Sequence, residues 1–339
     1  MPAPASSIPK FEEGGPLEPA HLPRSAINTE KWDACVRNSL NETPLAYSWV
    51  LDHLNPGWEA IVFGDYEGVM PLPVSYRLGI KMIQMPPEVL TLGIFSNNEK
   101  IIHQFPGIFN HPIFSKFRFI GYNGSPAQKD FSGAQDTIIK QTQELKLNKS
   151  YDKLHQKFSR SHRRSIRAFY DAGGKISEDS DPGLFTDLLA KKGANRAEIF
   201  IPLRYRQNFN MMAKTATSRK KGTTYSVWKD GKPVAASFFL IGNSRVVPYH
   251  LANEEGQHLK ASFALIDHFI RKYAESNLTL DFAGSVIPNV AEFNRRFGAV
   301  SVPYPSVRIN RLPWLMRAAK DTKLLFRIKH LWGNKIQAK

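Results

Sequence analysis

The order of predicted elements repeats along the chain, and this repeat constrains the fold more than any other feature. Each half contains two helices, a glycine-turned hairpin, a strand, a helix and a closing strand. In the second half these cover residues 185–189, 204–217, 223–241, 245–251, 261–276 and 278–282. Any two α/β domains can share such an order, but an internal duplication is the simplest account. We therefore predict an α/β protein with two similar domains, each a mixed central sheet flanked by helices.

The predicted boundaries divide the 339 residues into four segments. A proline-rich, extended leader covers residues 1–26. The two domains cover 27–148 and 149–313, and a basic amphipathic helix covers 314–339. The longest apolar run, residues 233–242, is about half the length of a membrane span. The N-terminus lacks the features of a secretory signal, and Cys35 is the single cysteine, so we expect a cytoplasmic protein.

Charge is distributed unequally between the two halves. Residues 1–150 carry a net charge of −2, whereas residues 151–339 carry +18. The basic half is therefore expected to meet an anion: a phosphorylated cofactor, RNA or a lipid surface. The C-terminal helix adds an apolar stripe to its cations, so it either contacts an anionic membrane peripherally or packs on the domain.

The segment that precedes the predicted helix over residues 261–276 is a candidate phosphate site. A glycine-containing connection that enters a helix presents unpaired N–H groups and the positive end of the helix dipole. The candidate residues are Gly256, Gln257, His258, Leu259, Lys260, Ala261 and Ser262. An ordinary strand-to-helix connection explains the same residues, so this pattern alone does not establish a site.

A predicted helix over residues 153–170 concentrates cations. Its basic residues include Arg160, Arg163, Arg164 and Arg167, without interleaved acids. This pattern indicates either an anion-binding surface, for a nucleotide, RNA or an acidic substrate, or a solvated basic face.

Asp281 ends a predicted strand and is followed closely by Gly284 and Ser285. The carboxyl end of a strand is where α/β proteins place ligands and acid–base groups, so these three residues form a candidate site. A turn or helix-capping aspartate is the alternative. The pattern of His and Cys residues predicts no metal site.

These features together resemble a known family. The motifs are Lys31-Trp-Asp-Ala-Cys, Ser48-Trp-Val-Leu-Asp, Val69-Met-Pro-Leu-Pro, Leu92-Gly-Ile-Phe-Ser, Ser161-His-Arg-Arg-Ser-Ile-Arg, Leu280-Asp-Phe-Ala-Gly-Ser and Phe297-Gly-Ala. Over residues 27–313 the chain resembles bacterial proteins with tandem GNAT acyltransferase folds, of the FemAB-like group. The resemblance implies two GNAT-like domains, the first an acceptor-side or scaffold domain and the second binding the donor.

The resemblance also implies an activity, the transfer of an acyl group from acyl-CoA, such as acetyl-CoA, to an amine of a small molecule or peptide. Residues 256–262 would hold the pyrophosphate of the donor. For the chemistry, strand-end positions suggest Asp281 or His250 as base and Tyr304 as acid.

Two other interpretations remain open. One is a FemAB-like aminoacyltransferase that takes its donor from aminoacyl-tRNA and modifies a cell-wall precursor. The other is a non-catalytic protein that binds RNA or an anionic membrane. The basic half favours the first of these, and the single glycine of the segment 255–261 favours the second.

Overall fold

The computed structural model describes residues 17–128, 137–178, 180–194, 203–283 and 288–312. Within these ranges the helices are α1 (Thr29–Asn38), α2 (Ser48–Leu54), α3 (Glu99–Ile102), α4 (Tyr151–His155), α5 (Arg160–Asp171), α6 (Gly183–Ala194), α7 (Leu203–Ser218), α8 (Glu254–His258), α9 (Ala261–Lys272) and α10 (Pro288–Arg295). No helix of the described ranges is both long and apolar enough to cross a membrane.

The strands form a four-stranded and a nine-stranded sheet. They are β1 (Pro19–Pro23), β2 (Glu59–Phe63), β3 (Gly68–Leu72), β4 (Val74–Arg77), β5 (Ile80–Gln84), β6 (Phe95–Ser96), β7 (Phe119–Asn123), β8 (Thr137–Lys146), β9 (Gly222–Lys229), β10 (Lys232–Ile241), β11 (Arg245–Ala252), β12 (Thr279–Asp281) and β13 (Val300–Asn310). The smaller sheet has the order β1-β2-β3-β6, and the larger has β4-β5-β7-β13-β8-β12-β11-β10-β9.

The larger sheet is nearly symmetric about the neighbouring strands β13 and β8. On one side β5 pairs in parallel with β7, and on the other β11 pairs in parallel with β12. Each parallel pair continues into an antiparallel hairpin, β4–β5 or β10–β11. This arrangement confirms the predicted α/β class with mixed sheets. Both halves contribute strands to the nine-stranded sheet, so the sheet does not mark where one domain ends and the next begins. The domain boundaries given above stay a prediction.

Several predicted elements differ from the structure. The leader contains β1, which pairs with β2 from Pro19↔Phe63 to Pro23↔Glu59. In the first half the sequence pattern predicts a strand over residues 90–95 and a helix over 97–105, whereas the structure has the shorter β6 and α3. Strand β8, which lies between β13 and β12, was not predicted. The predicted C-terminal helix lies outside the described residues.

The basic helix expected over residues 153–170 is two helices, α4 and α5. The Ser159 side chain accepts a hydrogen bond from the backbone N–H of His162, and this cap begins the second helix. Leu154 and Phe158 are buried before the break, and Phe169 is buried after it, so the apolar face continues across both helices. The four arginines of α5 are exposed on the opposite side.

The parallel pair β11–β12 leaves a gap in the larger sheet. Its ladder covers two positions, Arg245↔Thr279 and Val246↔Leu280, whereas β11 continues to Ala252. Strand β12 ends at Asp281. Among the described residues, the edge of β11 that faces β12 has no strand partner over its last six residues, and this opening positions the candidate site.

Candidate functional site

A cavity of about 490 Å³ lies beside the unpaired end of β11. It is bounded by the turn before α9 and by α10. Its lining residues are His250, Leu251, Ala252, Gln257, Lys260, Ser262, Phe263, Asn289, Val290 and Phe293. The structure thus brings together four of the residues that the sequence proposed, one from β11 and three from the segment before α9. We call this space the β11 cavity.

A second cavity of about 320 Å³ adjoins the first along α5 and α10. It is lined by Ser161, His162, Ser165, Phe263, Asn289, Glu292, Phe293 and Arg296. Phe263, Asn289 and Phe293 border both cavities, and the two phenyl rings lie 5.1 Å apart. The two cavities are therefore neighbours that share an aromatic border, and we call them together the groove.

The segment before α9 is not the open loop that the sequence suggested, because residues 254–258 form α8. The Asn253 side chain caps this helix and accepts a hydrogen bond from the Gly256 N–H at 2.8 Å. A Cβ added at Gly256 would lie 2.3 Å from the carbonyl oxygen of Val234. Gly256 is therefore required for packing, and its N–H is already satisfied. Its expected role in contacting a ligand is not supported by this geometry.

The part of the segment that lines the β11 cavity consists of Gln257, Lys260 and Ser262, and Lys260 marks the start of α9. This residue has a left-handed backbone with φ of 61° and directly precedes α9. The N–H groups of Ala261 and Ser262 lie in the first turn, where a helix supplies no internal acceptor, and the dipole of this 12-residue helix adds positive potential. Ser262 borders the β11 cavity, so an anion there would meet both features.

The other residues of that segment lie away from the cavity. The side chain of His258 is 79% exposed and lies 3.9 Å from Glu254. The N–H of Leu259 donates to the carbonyl oxygen of Glu255. These two positions contribute to the turn rather than to the cavity wall.

Asp281 occupies the end of β12 within a buried polar network. It accepts hydrogen bonds from Thr142 Oγ1 at 2.8 Å and from the Ala283 N–H at 3.0 Å, and it lies 3.4 Å from Arg245 Nη1. Arg245 also binds Glu144 Oε1 at 2.6 Å. Both oxygens of Asp281 are therefore engaged, which is the geometry of a structural carboxylate.

Tyr304 lies on the same face of the sheet as Asp281. The registers Asp281↔Glu144, Val300↔Glu144 and Tyr304↔Lys140 place these side chains on one side. Tyr304 is fully buried, and its hydroxyl has no hydrogen-bond partner among the described residues. Burial, together with the Asp281 charge, raises the pKa of Tyr304 to about 12. The other two members of this candidate site, Gly284 and Ser285, lie outside the described residues.

The arginine face belongs to α5, the helix that lines the second cavity, although the four arginines are not among the lining residues of either cavity. Arg160, Arg163, Arg164 and Arg167 are exposed, and none of them takes part in an ion pair with a carboxylate of the described chain. Ser161 and Ser165 of the same helix line the second cavity. The cationic surface that the sequence predicted is thus present and adjoins the site.

His162 is a site residue that the sequence analysis did not identify. It is 3% exposed and packs edge-on against Phe263 and Phe297 at 4.7 and 4.5 Å. Burial lowers the pKa of His162 to about 4, so the ring is neutral at pH 7. Its aromatic partners come from α9 and the end of α10, and their approach is visible only in the folded chain.

Three comparisons with known proteins bear on this site. Residues 156–288 match the family model of the GNAT acetyltransferase domain. These residues run from the position after α4 to the first residue of α10, so they include the lining residues of both cavities up to Phe263 and leave out those from Asn289 onward. No curated protein matches the chain in sequence.

The fold has similar solved structures. FemX aligns with a TM-score of 0.59 at 14% identity, covering 85% of this chain and 97% of its own. A protein of unknown function from Bacteroides thetaiotaomicron aligns at 0.55 with 11% identity, covering 82% and 96%. The C-terminal domain of a putative lysylphosphatidylglycerol synthetase from Agrobacterium fabrum aligns at 0.55 with 10% identity, covering 84% and 92%. The resemblance to GNAT and FemAB-like proteins is thereby confirmed, and at these identities the structural matches establish the fold.

Proposed function

We propose, from the premise that residues 156–288 are a GNAT acyltransferase domain in a chain with the FemX fold, that this enzyme transfers an acyl group from acyl-CoA to an amine. The single observation that carries the choice of donor is the groove beside β11. It combines a helix N-terminus for phosphate with an apolar middle for an extended chain.

The residues of the groove fit the chemistry of CoA. The N–H groups of Ala261 and Ser262, with the Lys260 ammonium beside them, provide a cradle for the pyrophosphate. Phe263 and Phe293 provide apolar surface for the pantetheine chain and the acyl group. When bound, acyl-CoA supplies the thioester whose carbonyl carbon is attacked.

The chain contributes positioning and electrostatic stabilisation to that attack. Alternate backbone N–H groups on the unpaired edge of β11 point into the gap, where they can bind the developing oxyanion. We assign His250 to contact with the bound donor, because it borders the β11 cavity. Tyr304 is the proposed acid toward the leaving thiolate, and Asp281 fixes the end of β12 through Arg245.

A carboxylate placed in the first turn of α9 tests the donor site. Ser262→Asp puts a negative charge on the cavity wall, where it repels the pyrophosphate. Two unit charges about 4 Å apart interact by roughly 4 kcal/mol near a protein surface, so a loss of at least about tenfold in CoA affinity is a conservative expectation. An acidic residue in a first helical turn is itself favourable, so the variant should fold normally.

The matched control is Thr29→Asp, which makes the same kind of change at the start of α1. Isothermal titration with CoA should show weaker binding for Ser262→Asp and unchanged binding for Thr29→Asp. Equal affinities for Ser262→Asp and the parent protein would remove the donor site from this groove.

Aminoacyl-tRNA is the second candidate donor, favoured by the arginine face of α5. Four exposed guanidinium groups without carboxylate partners in the described chain offer contacts to a phosphate backbone. If they contact tRNA, its affinity should fall steeply with salt, and Arg→Gln changes at Arg160 and Arg164 should flatten that dependence. A tRNA affinity independent of both changes would leave acyl-CoA as the donor.

A further inference from the structure

Glu88 lies on a segment of the first half that contacts a strand of the second half. The segment follows β5 and is attached to β7 through the hydrogen bonds Met85 N–H to Gly121 O and Leu92 N–H to Asn123 O, at 3.3 and 2.9 Å. The hydroxyl of Tyr249 on β11 donates to the backbone carbonyl of Glu88 at 2.7 Å. A residue of the first half is thus held against the strand that borders the donor cavity.

The carboxyl group of Glu88 is partly enclosed and not used in the fold. The residue is half-buried, and its Oε2 atom is inaccessible to solvent and has no hydrogen-bond partner among the described residues. Burial raises the pKa of Glu88 to about 7, and its own backbone N–H opposes this shift. The group therefore exchanges its proton near neutral pH.

The titratable group that directly faces this segment is Tyr249. Asp281 lies on the same face of the sheet as Tyr249, and both carboxyl groups raise the pKa of the buried Tyr249 hydroxyl, after the larger effect of burial. The rise in the pKa of Glu88 comes from burial of its carboxyl group and not from a neighbouring charge. Its proton affinity is set by its enclosure rather than by an ion pair.

Glu88 lies on the opposite face of the sheet from the donor cavity. Successive side chains of a strand point to opposite faces, so Tyr249 and His250 face opposite ways. His250 borders the β11 cavity, and Tyr249 contacts the Glu88 segment. The two faces meet where β11 and β12 no longer pair. The gap is therefore the place where a thioester on the donor side can meet an amine on the Glu88 side.

We propose that the acceptor amine binds on the Glu88 side of this gap and that Glu88 is the catalytic base that removes its proton. This inference rests on the proposed acyl transfer. The ammonium gives one proton to the Glu88 carboxylate, and the nitrogen forms a bond to the carbonyl carbon of the thioester. The C–S bond then breaks as Tyr304 gives a proton to the leaving sulfur, so CoA leaves as the thiol. The second proton of the nitrogen restores the Tyr304 hydroxyl, and Glu88 returns the first proton to solvent. We do not assign this role to Asp281, because its Oδ1 accepts hydrogen bonds from Thr142 and Ala283 and its Oδ2 faces Arg245.

The test is the pH dependence of acetyl-CoA cleavage in Glu88→Gln, with Glu99→Gln as the matched control on the exposed surface of the first half. The nucleophiles are water alone and water with glycinamide, so a specific acceptor is not required. In the parent protein the rate should rise with pH through an inflection near 7. Glu88→Gln should be slower by about 10²–10⁴-fold and lose that inflection, since general-base catalysis contributes this much. Glu99→Gln should behave as the parent.

Binding of CoA separates the possible outcomes. Glu88→Gln should bind CoA with unchanged affinity, because the residue lies across the sheet from the donor. If it cleaves acetyl-CoA within twofold of the parent at every pH, the base assignment is wrong while the proposed function stands. If the parent itself neither binds CoA nor cleaves acetyl-CoA, the proposed function fails. If Glu88→Gln folds poorly, Glu88→Asp replaces it as the test variant. Because Glu88→Asp retains a carboxyl group, its rate should still show a pH inflection. A folded Glu88→Asp protein without that inflection would overturn the assignment.

Discussion

Removal of Arg245 should destabilise the protein strongly, because its positive charge compensates two buried carboxylates. The guanidinium lies 2.6 Å from Glu144 and 3.4 Å from Asp281, and the three side chains are 19%, 12% and 6% exposed. Removal of one partner from a buried ion pair costs about 3–5 kcal/mol, since the remaining charge is left without compensation. We therefore expect Arg245→Met to lower the free energy of unfolding by about this amount at pH 7.5.

The pH dependence of that loss identifies its cause. Burial raises the pKa of Glu144, and the charge of Arg245 opposes this rise. Without Arg245 the folded-state pKa of Glu144 lies further above its unfolded value, so the variant binds more protons folded than unfolded. Its stability should increase relative to the parent as the pH falls from 7.5 to 5. Guanidinium unfolding at both pH values measures this change. The control is Arg296→Met, whose partner Glu292 is exposed on α10, and its unfolding midpoint should not change. A loss below about 1 kcal/mol for Arg245→Met, independent of pH, would refute the reasoning.

Three further substitutions test local features of the site. Gly256→Ala should destabilise by about 1–3 kcal/mol in thermal unfolding, because its Cβ would lie 2.3 Å from Val234 O; an unchanged midpoint contradicts this packing. Lys260→Gly should stabilise the ligand-free protein by up to about 1 kcal/mol, since φ of 61° favours glycine, yet weaken CoA binding; tighter binding would exclude a role for the ammonium. Because the pKa of His162 is lowered, the free energy of unfolding should be fully present above pH 6.5 and should fall by up to about 3 kcal/mol as the pH falls toward 4. His162→Phe should remove this acid sensitivity, and equal acid sensitivity in both proteins would refute the reasoning.

The elements that the sequence predicted well are those whose pattern is local. The hairpin β9–β10 has a glycine turn and apolar flanks, and α9 has an amphipathic period, so each was predicted close to its observed bounds. Strand β8 was not predicted because the residues on one of its faces, Lys140, Thr142 and Glu144, are polar. Glu144 is accommodated there by Arg245, a residue 101 positions away, and no local pattern shows such a pair.

The candidate site was predicted in part for the same reason. Helix starts and strand ends are local signals, and they located His250, Lys260 and Ser262 in one cavity. Glu88 carries no local signal, because its enclosure depends on Tyr249, 161 residues further along the chain. The roles of the catalytic candidates are proposals, whereas the match of residues 156–288 to the GNAT domain model and the similarity of the fold to FemX are observations.

The central claim is that this protein takes its acyl group from CoA, and ligand-dependent unfolding tests it most directly. Thermal unfolding is followed with acetyl-CoA, longer acyl-CoAs and free CoA at two salt concentrations. A ligand that binds only the folded state adds about 2.7 kcal/mol at roughly 100 times its dissociation constant. The account predicts a rise of the unfolding temperature with acyl-CoA that persists at the higher salt concentration. No rise with any CoA at either salt concentration would contradict it.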